Sequence, residues 1–518
     1  MQSNVGLRPH ARPLKKTEFA MGNQKDRKIV IVGGGIAGLC AAVYAQKCGY
    51  QAEVLEMHDM AGGLAMSWRR GHYTFETCLH WLFGSNPTDA MYGQWREVFD
   101  IEKLTFVDPA EFVRIETEGG DGLSFWTDAE RLEAELLKRA PQDAIAIRRF
   151  IGEVRKLGNF KMPDPAKGWV ANAGTLLRDA FCLALLRRLT GMTGKDYGAQ
   201  FTDPLIRAFF GMGEMGKLSA LALVYSLAGM NVRNAGYCHG GSQAIIRLIE
   251  ARLTSLGGRV RYGAKVERIV VENGVAVGVE LTGGERIAAD WVISAADGYT
   301  TIYKMLDGKY TSPAVDKIYE SLEPFPSYLQ VSLGVKMDLT AQPGHLGLLL
   351  NAPLDVDPGT QAEHLSFRIF NFDPTFAPPG CTAVTCFMTT RNAEYWVNLR
   401  KNDLTRYRAE KERIAQAAIG TLEKRIPGLR QAIEVTDVAT PATIVRYTGN
   451  WKGSMEGWML VPKTGVRPLP STLPGLRQFR MVGQWVQPGG GLPSGPMSAR
   501  PAIKAICRQD QVPFKPRE

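Results

Sequence analysis

A short apolar strand at residues 28–32 runs directly into a glycine-rich turn and then into a helical stretch at residues 39–48. This order of strand, glycine turn and helix is typical of a dinucleotide-binding βαβ unit. Gly33 permits the tight turn, Gly35 lets the backbone approach a pyrophosphate, and Gly38 lets the helix pack closely on the strand. A diphosphate would lie at the helix N-terminus, where free N–H groups and the helix dipole meet its charge. The turn residues that we expect at the diphosphate are Gly33, Gly35, Ile36, Ala37 and Gly38.

An acidic residue and a second glycine pair extend this signal. A second strand, residues 51–55, ends in Glu56, whose carboxylate can accept both ribose hydroxyl protons of an adenosine. The same carboxylate would repel a 2′-phosphate, which disfavours NADP. Gly62 and Gly63 follow, and such a pair resembles the extended fingerprint of FAD enzymes of the glutathione-reductase and amine-oxidase type. The pattern therefore favours FAD over NAD; the alternative is a structural βα turn that binds no ligand.

Two further glycine turns lie far along the chain. Gly240 and Gly241 open a predicted amphipathic helix at residues 243–256. Near the C-terminus, a glycine-rich segment at residues 483–495 leads into a predicted helix at residues 497–508. A helix N-terminus there would suit the N1 and C2 carbonyl region of a flavin, where negative charge gathers on reduction. The alternative is a second structural glycine turn. The strands predicted after the first of these helices are residues 259–262, 266–272, 275–281 and 291–296.

Together these motifs resemble the bacterial-type phytoene desaturase family, which also includes carotenoid isomerases and retinol saturases. The resemblance implies an α/β fold in which a Rossmann-like FAD-binding domain, of the glutathione-reductase and amine-oxidase type, is interleaved with an α+β substrate domain. It covers residues 28 to 510, nearly the whole chain. Besides the N-terminal fingerprint, the matching pieces are Gly71–Glu76, Gly240–Ser242, Val292–Ala295 and Pro488–Pro493.

The family also implies which residues would contact FAD. The strand that carries Val266 would offer backbone groups to adenine; the alternative is an αβ unit without ligand contact. Gln484 stands where related flavoenzymes often place an aspartate on the ribityl chain, and an amide can still bind those hydroxyls. A second departure is Glu76-Thr77-Cys78-Leu79-His80-Trp81, where the family usually has Asp-x-Gly-Pro, and this bears on the substrate. Beyond the first turn and Glu56, the implied FAD contacts are Gly62, Gly63, Val266, Gly483, Gln484, Gly490, Gly491, Leu492 and Pro493.

The FAD motifs divide the chain into two interleaved domains after a disordered basic leader, residues 1–27. The substrate domain is helical in pattern at first, with an amphipathic stretch at residues 132–157, and later contains a predicted sheet and a long helix at residues 404–425. The predicted FAD-binding segments are residues 28–120, 236–300 and 476–512. The predicted substrate or lid segments are residues 121–235 and 301–475. The strands of the predicted sheet are residues 328–335, 347–350, 366–370 and 382–389.

Charge and cysteine usage exclude several classes of protein. Residues 1–28 hold seven basic and two acidic residues, so this segment carries half of the net charge of +10. No long basic run with interspersed aromatic residues follows it, and we therefore expect no nucleic-acid partner. The eight cysteines include no C-x-x-C pair, which predicts a reduced, cytoplasmic protein without a metal site. No apolar run reaches the roughly 18 residues of a membrane span. Residues 169–189 are apolar and edged by arginines, and could lie peripherally in a membrane interface or be buried in the lid.

Few residues are candidates for the chemistry. His80 and Trp81 follow the segment that the family places near the flavin, and His80 could donate or accept a proton or could simply be packed. Tyr73, Tyr447 and Trp485 could line the flavin face or an isoprenoid channel, although buried aromatics are commonly core. We find no Ser/His/Asp set or paired carboxylates that would indicate hydrolysis. The predicted catalytic residues are His80, Trp81 and Tyr73.

The main hypothesis is an FAD-dependent oxidoreductase that adds or removes hydrogen at carbon–carbon bonds of a long apolar substrate, such as a carotenoid, a retinoid or another lipid, by hydride transfer to or from flavin N5. Its electron acceptor is unknown. One alternative is an isomerase that uses reduced FAD without net electron transfer. Another is an amine oxidase, although no aromatic cage or near-flavin lysine is evident in the motifs. From another class, an FAD-free prenyl-lipid carrier of the Rab GDP-dissociation inhibitor type is disfavoured by the glycine pairs and Glu56.

Overall fold

The computed structural model describes residues 27–160, 180–465 and 467–516. The strands of these ranges are Lys28–Val32 (β1), Gln51–Leu55 (β2), Ser67–Arg70 (β3), Tyr73–Glu76 (β4), Leu82–Phe83 (β5), Phe106–Val107 (β6), Glu111–Thr117 (β7), Gly122–Trp126 (β8), Ala235–Cys238 (β9), Arg259–Arg261 (β10), Val266–Glu272 (β11), Val275–Leu281 (β12), Arg286–Ala288 (β13), Trp291–Ser294 (β14), Ser327–Val335 (β15), His345–Asp357 (β16), Thr360–Ile369 (β17), Thr382–Thr390 (β18), Ile433–Ala439 (β19) and Phe479–Met481 (β20).

Helices connect these strands and cover their faces. The α-helices are Ile36–Lys47 (α1), Ala90–Val98 (α2), Ala129–Arg139 (α3), Ala144–Gly158 (α4), Ala180–Thr190 (α5), Gly194–Gly198 (α6), Pro204–Gly211 (α7), Ala220–Asn231 (α8), Gly241–Ser255 (α9), Pro313–Ser321 (α10), Ala393–Asn402 (α11), Leu404–Arg425 (α12), Leu429–Ala432 (α13), Pro441–Thr448 (α14) and Ser494–Gln509 (α15). Shorter 3-10 turns and one π turn are Ile101–Lys103, Pro141–Asp143, Gly213–Lys217, Thr300–Met305 and Trp451–Gly453.

A parallel sheet of order β10-β2-β1-β14-β20 forms the centre of the dinucleotide-binding part. Apart from Lys28, β1 and β14 in the middle of the sheet are buried and mostly apolar because both faces are covered, as parallel sheets require. On one face the sheet packs against α1, α9 and α15, and on the other against the small antiparallel sheet β11-β12-β13. The predicted Rossmann-like, FAD-binding α/β architecture is thereby confirmed.

A second, mixed sheet has the order β19-β15-β18-β17-β16-β7-β8. Helices α11 and α12 cover one face of it, through buried side chains such as Trp396, Ile414 and Leu422. The predicted sheet strands are all present, and the helix predicted at residues 404–425 forms over that range. This sheet is the β layer that the sequence predicted for the substrate part.

Helices α3 to α8 form a third layer, whose core includes residues of β7 and β8. The single amphipathic stretch predicted at residues 132–157 is two helices, α3 and α4, because Pro141 begins a 3-10 turn between them. Within the described ranges, the structure contains no helix that is long and apolar enough to cross a bilayer.

The chain crosses between the two sheets earlier than the sequence indicated. The predicted FAD-binding segment 28–120 includes β7, yet β7 pairs with β16 and β8 in the second sheet. The boundary at residue 120 was therefore wrong, and the crossover precedes Glu111. An amphipathic strand carries no signal for the sheet that it will join, which explains the error. Two predicted segments lie partly outside the described residues. These are residues 1–26 of the leader and residues 169–179 of the apolar segment 169–189.

Candidate functional site

The first glycine turn joins β1 to α1, and its glycines differ in how much room they leave for a side chain. Gly33 has a φ of +98°, and its N–H donates to the carbonyl of Leu55 over 2.8 Å. A Cβ on Gly38 would lie only 2.0 Å from the carbonyl oxygen of Gly33. A Cβ on Gly35, by contrast, would meet nothing closer than 3.8 Å. Helix α1 starts after Gly35 without a side-chain cap, so the uncrowded glycine lies at a helix N-terminus suited to a phosphate.

Glu56 and the second glycine pair close around this turn. The Glu56 carboxylate is almost fully buried and accepts hydrogen bonds from the N–H groups of Gly34, at 2.7 Å, and His58, at 2.9 Å. The N–H of Gly62 donates to the carbonyl of Gly34 over 2.9 Å, and a Cβ on Gly63 would lie 3.3 Å from the Cα of Gly35. The glycine pair is therefore needed for close backbone packing against the turn.

The small sheet reaches the same site through the start of β11. The N–H of Ala264 donates to the carbonyl of Glu56 over 2.8 Å, and Val266 is buried two residues further on, opposite Leu281. Val266 thus begins the strand whose preceding segment is bonded to the backbone of Glu56. This arrangement is compatible with an adenine next to β11.

The C-terminal glycine segment meets the first turn directly. A Cβ on Gly483 would lie 3.2 Å from the Cβ of Ala37, and one on Gly495 would lie 3.1 Å from a methylene carbon of Ile36. The N–H of Gly483 donates to Ser498 of α15 over 2.8 Å, while Gln484 next to it is partly exposed. The N-termini of α1 and α15 therefore converge, and these glycine cradles fit the diphosphate and flavin parts of FAD.

A cavity of about 1720 Å³ extends from the C-terminal glycine segment into the substrate part. Gly490, Gly491, Leu492 and Pro493 line one part of it, whereas Gly33, Glu56 and Val266 do not. Its other walls come from the loop after β4, from α7 and α8, and from β16, β17 and β18. The lining is mostly apolar and includes Trp81, Phe112, Phe209, Leu221, Tyr328 and Phe387.

His80 and Trp81 both line this cavity. The His80 ring lies 6.3 Å from the His345 ring and 6.0 Å from that of Phe387, measured between ring centroids. Burial, and secondarily the charge of Arg368, lowers the pKa of His80 to about 3, and the same two causes lower the pKa of His345. His80 is therefore neutral near pH 7 and can exchange hydrogen bonds there, but it does not supply a proton from an imidazolium.

The structure does not bring the other predicted aromatic residues to the cavity. The Tyr73 hydroxyl donates to Glu434 over 2.8 Å, and its ring covers Gly334. Tyr447 lies against His58, with ring centroids 4.7 Å apart. Trp485 packs in a buried aromatic cluster with Trp451 and Trp458. None of the three lines the cavity. They therefore do not form the walls of this cavity as an isoprenoid channel, since Tyr73 and Trp485 are buried in packing contacts and Tyr447 packs on His58.

Two carboxyl groups, one buried and one partly buried at the cavity wall, were not identified from the sequence. Glu456 lines the cavity next to the C-terminal glycine segment, and burial raises its pKa to about 7. Glu76 accepts hydrogen bonds from the N–H groups of Cys78 and Ser242, both at 2.8 Å, and so ties the loop after β4 to the start of α9. Isolated carboxylates in irregular segments have no periodicity, and so no sequence pattern identified them. The described ranges contain no group of three or more His, Cys, Asp or Glu residues that could hold a metal ion.

Comparisons with known proteins match most of the chain. Residues 36–409 match the family model of flavin containing amine oxidoreductases. The chain is 25% identical to a chloroplastic prolycopene isomerase of Daucus carota, over 91% of this chain and 78% of that protein. It is also 25% identical to a lycopene-forming phytoene desaturase of a Paracoccus species, over 92% and 96%. The structure of an oxidoreductase from Methanosarcina mazei shares the fold, with a TM-score of 0.60, 16% identity, and coverage of 92% of this chain and all of that one.

Proposed function

The chain belongs to the family of flavin-containing amine oxidoreductases, and from that premise we propose that it acts on carbon–carbon bonds of a long polyene of the carotenoid type. It is an FAD-dependent oxidoreductase. FAD supplies the redox chemistry when bound, as acceptor or donor of a hydride. The residues that would hold it are the two glycine segments, Glu56 and the N-termini of α1 and α15. The relatives include a prolycopene isomerase and a phytoene desaturase. The experiment must therefore distinguish isomerisation of a carbon–carbon double bond from desaturation of a single bond.

The cavity is the observation that supports this proposal. Its volume of about 1720 Å³ includes the space beside the glycine segment assigned to the flavin, and the rest extends between α7, α8 and the second sheet. Its apolar walls would desolvate a hydrocarbon chain along its length, and its glycine-lined part adjoins the segment assigned to the flavin. Neutral His80 and His345 keep this interior free of imidazolium charge, which suits an uncharged ligand. The protein thus positions the substrate and excludes water.

A route for the substrate is proposed from the same lining. Leu186 and Thr190 of α5 line the cavity, while Leu183 of the same helix is 41% exposed and Arg187 and Arg188 follow it. Such a helix can lie in a membrane interface with Arg187 toward anionic headgroups, whereas Arg188 pairs with Glu153 of α4. We infer that a polyene enters from a membrane surface at α5. Co-sedimentation with anionic vesicles should fall for Leu183→Glu, whereas unchanged sedimentation would remove this route.

The test is a visible spectrum of the purified protein, followed by anaerobic mixing with a carotenoid. Released FAD, and loss of the flavin absorbance when the polyene is added, would support desaturation. Conversion of polyene isomers only after prior reduction of the flavin, without net oxidation, would support the isomerase instead. FAD without conversion of any polyene would contradict the proposed substrate class.

A matched pair of variants controls for FAD binding. Glu56→Gln should weaken FAD binding about tenfold or more, because hydrogen bonds to a charged group contribute roughly 1.5–3 kcal/mol. Glu53→Gln alters a carboxylate of the same strand that pairs with Lys28 and Arg259, away from the glycine turn, and should retain FAD. Equal FAD loss in both variants would contradict the ribose role of Glu56.

A further inference from the structure

Glu456 packs directly against the C-terminal glycine segment. Gly490 has a φ of +58°, and a Cβ there would lie 2.5 Å from the Glu456 carbonyl oxygen and 2.8 Å from its Cγ. The backbone N–H of Gly491 reaches the Glu456 carboxyl group. The carboxyl group therefore lies against the glycine segment assigned to the flavin, 3.7 Å from where a Cβ on Gly491 would be, and Glu456 itself lines the cavity.

The surroundings of this carboxyl group leave its charge uncompensated. The thiol of Cys78, in the loop after β4, is near enough for its charge to interact with that of Glu456, and Tyr328 of β15 interacts in the same way with Cys78. Within the part of the chain that the structure describes, no lysine or arginine pairs with Glu456. Burial raises its pKa to about 7, and the hydrogen bond from Gly491 offsets this only in part. Both protonation states are accordingly accessible near neutral pH.

We propose that Glu456 binds a proton when FAD is reduced and releases it when FAD is reoxidised. This inference rests on the proposed function. In a desaturation, two hydrogens leave neighbouring carbons, one as a hydride whose electron pair reduces FAD and one as a proton. The Glu456 carboxylate takes up that proton and becomes a carboxylic acid, while the carbon–carbon single bond becomes a double bond. Saturation reverses each transfer. The uncharged acid would then lie against the glycine segment that would hold the flavin, where a carboxylate would oppose added negative charge.

The experiment measures the FAD midpoint potential of the holoenzyme against pH, by reductive titration without any polyene. For a two-electron couple, one added proton corresponds to a tenfold change in the equilibrium constant per pH unit, or about 30 mV. Above pH ~7 the wild-type line should therefore be steeper by about 30 mV per pH unit than the line for Glu456→Gln. The two lines should run parallel below that pH. Lines that are parallel throughout would overturn the proposal.

Two further variants make the result specific. Glu323 is a control close to Glu456 in the fold: its carboxylate pairs with Arg391, and its backbone carbonyl accepts a hydrogen bond from the Met459 N–H. Glu323→Gln should therefore show the same dependence of the midpoint potential on pH as the wild type. If Glu456→Gln fails to retain FAD, Glu456→Asp takes its place. The pH at which the slope of the midpoint potential changes should then differ from that of the wild type. A slope that changes at the same pH in Glu456→Asp and in the wild type would contradict the role of Glu456. Since the titration needs no polyene, failure of carotenoid conversion and failure of this proposal are separate outcomes.

Discussion

Gly35 and Gly38 stand in the same turn, yet they serve different requirements. At Gly38 the backbone carbonyl of Gly33 occupies the place of any side chain, whereas at Gly35 that place is open. Gly38 is therefore needed by the fold itself, whereas Gly35 leaves room for a ligand. Affinity for FAD and stability of the apoprotein should therefore respond differently to the same chemical change at the two positions.

Gly38→Ala should destabilise the apoprotein by about 3 kcal/mol, because its Cβ overlaps a backbone oxygen that cannot move freely. Gly35→Ala should change the stability by no more than about 1 kcal/mol but weaken FAD binding at least tenfold, or ~1.4 kcal/mol. Denaturant unfolding and FAD titration of both apoproteins measure the two effects. A Gly35→Ala variant that binds FAD as tightly as the wild type would contradict the assignment of the diphosphate.

His80 gives the protein an acid-sensitive stability. Its pKa is about 3 when folded, and the unfolded value is near 6.5, so its contribution is fully present above pH 6.5 and is lost as the pH falls toward 3. Between these two pH values, His80 changes the free energy of unfolding by at most about 1.4 kcal/mol per pH unit. Unfolding of His80→Asn between pH 4.5 and 7.5 should depend less on pH than that of the wild type. His72→Asn changes an exposed histidine and should retain the wild-type slope.

At the scale of elements, Glu76 holds together two segments that are distant in sequence. It ends β4, and its carboxylate accepts from the Ser242 N–H and hydroxyl at the start of α9. Glu76→Ala should destabilise the protein by roughly 3 kcal/mol, since buried donors then lose a charged acceptor. Glu76→Gln keeps one acceptor oxygen and should lose less. Thermal unfolding measures both, with Glu272→Ala on the exposed side of β11 as the control. Equal loss in all three would remove the special role of Glu76.

Elements with a strong period or a glycine requirement were predictable from sequence. Strands β11 and β12 begin and end as predicted because the turn at Asn273 and Gly274, both with positive φ, separates them. Helix α12 also begins and ends as predicted. The first glycine turn was equally legible, since each glycine answers a local steric need. Tyr73 was misplaced because an aromatic residue packs in a core as readily as in a channel. Glu456 was missed because its environment is created only when Gly490 folds against it.

At the scale of the whole molecule, the cavity exists only where all three layers meet. The loop after β4 and the C-terminal glycine segment belong to the dinucleotide-binding part, while α7, α8 and β16 to β18 form the remaining walls. The chain therefore has to cross repeatedly between layers before any wall is complete. Binding of FAD and binding of the apolar substrate accordingly depend on different parts of one interior, and they should be separable by substitution.

Ala362 of β17 lines the cavity in the second sheet, away from the glycine turns that would hold FAD. Ala362→Trp should fill part of the cavity and weaken binding of a full-length carotenoid at least tenfold, or ~1.4 kcal/mol, while a shorter retinoid loses less. FAD content should stay unchanged, and Ala362→Ser should bind both polyenes as the wild type does. Polyene titration by flavin fluorescence measures these affinities. Equal loss for the long and short polyenes would mean that the substrate does not extend along β17.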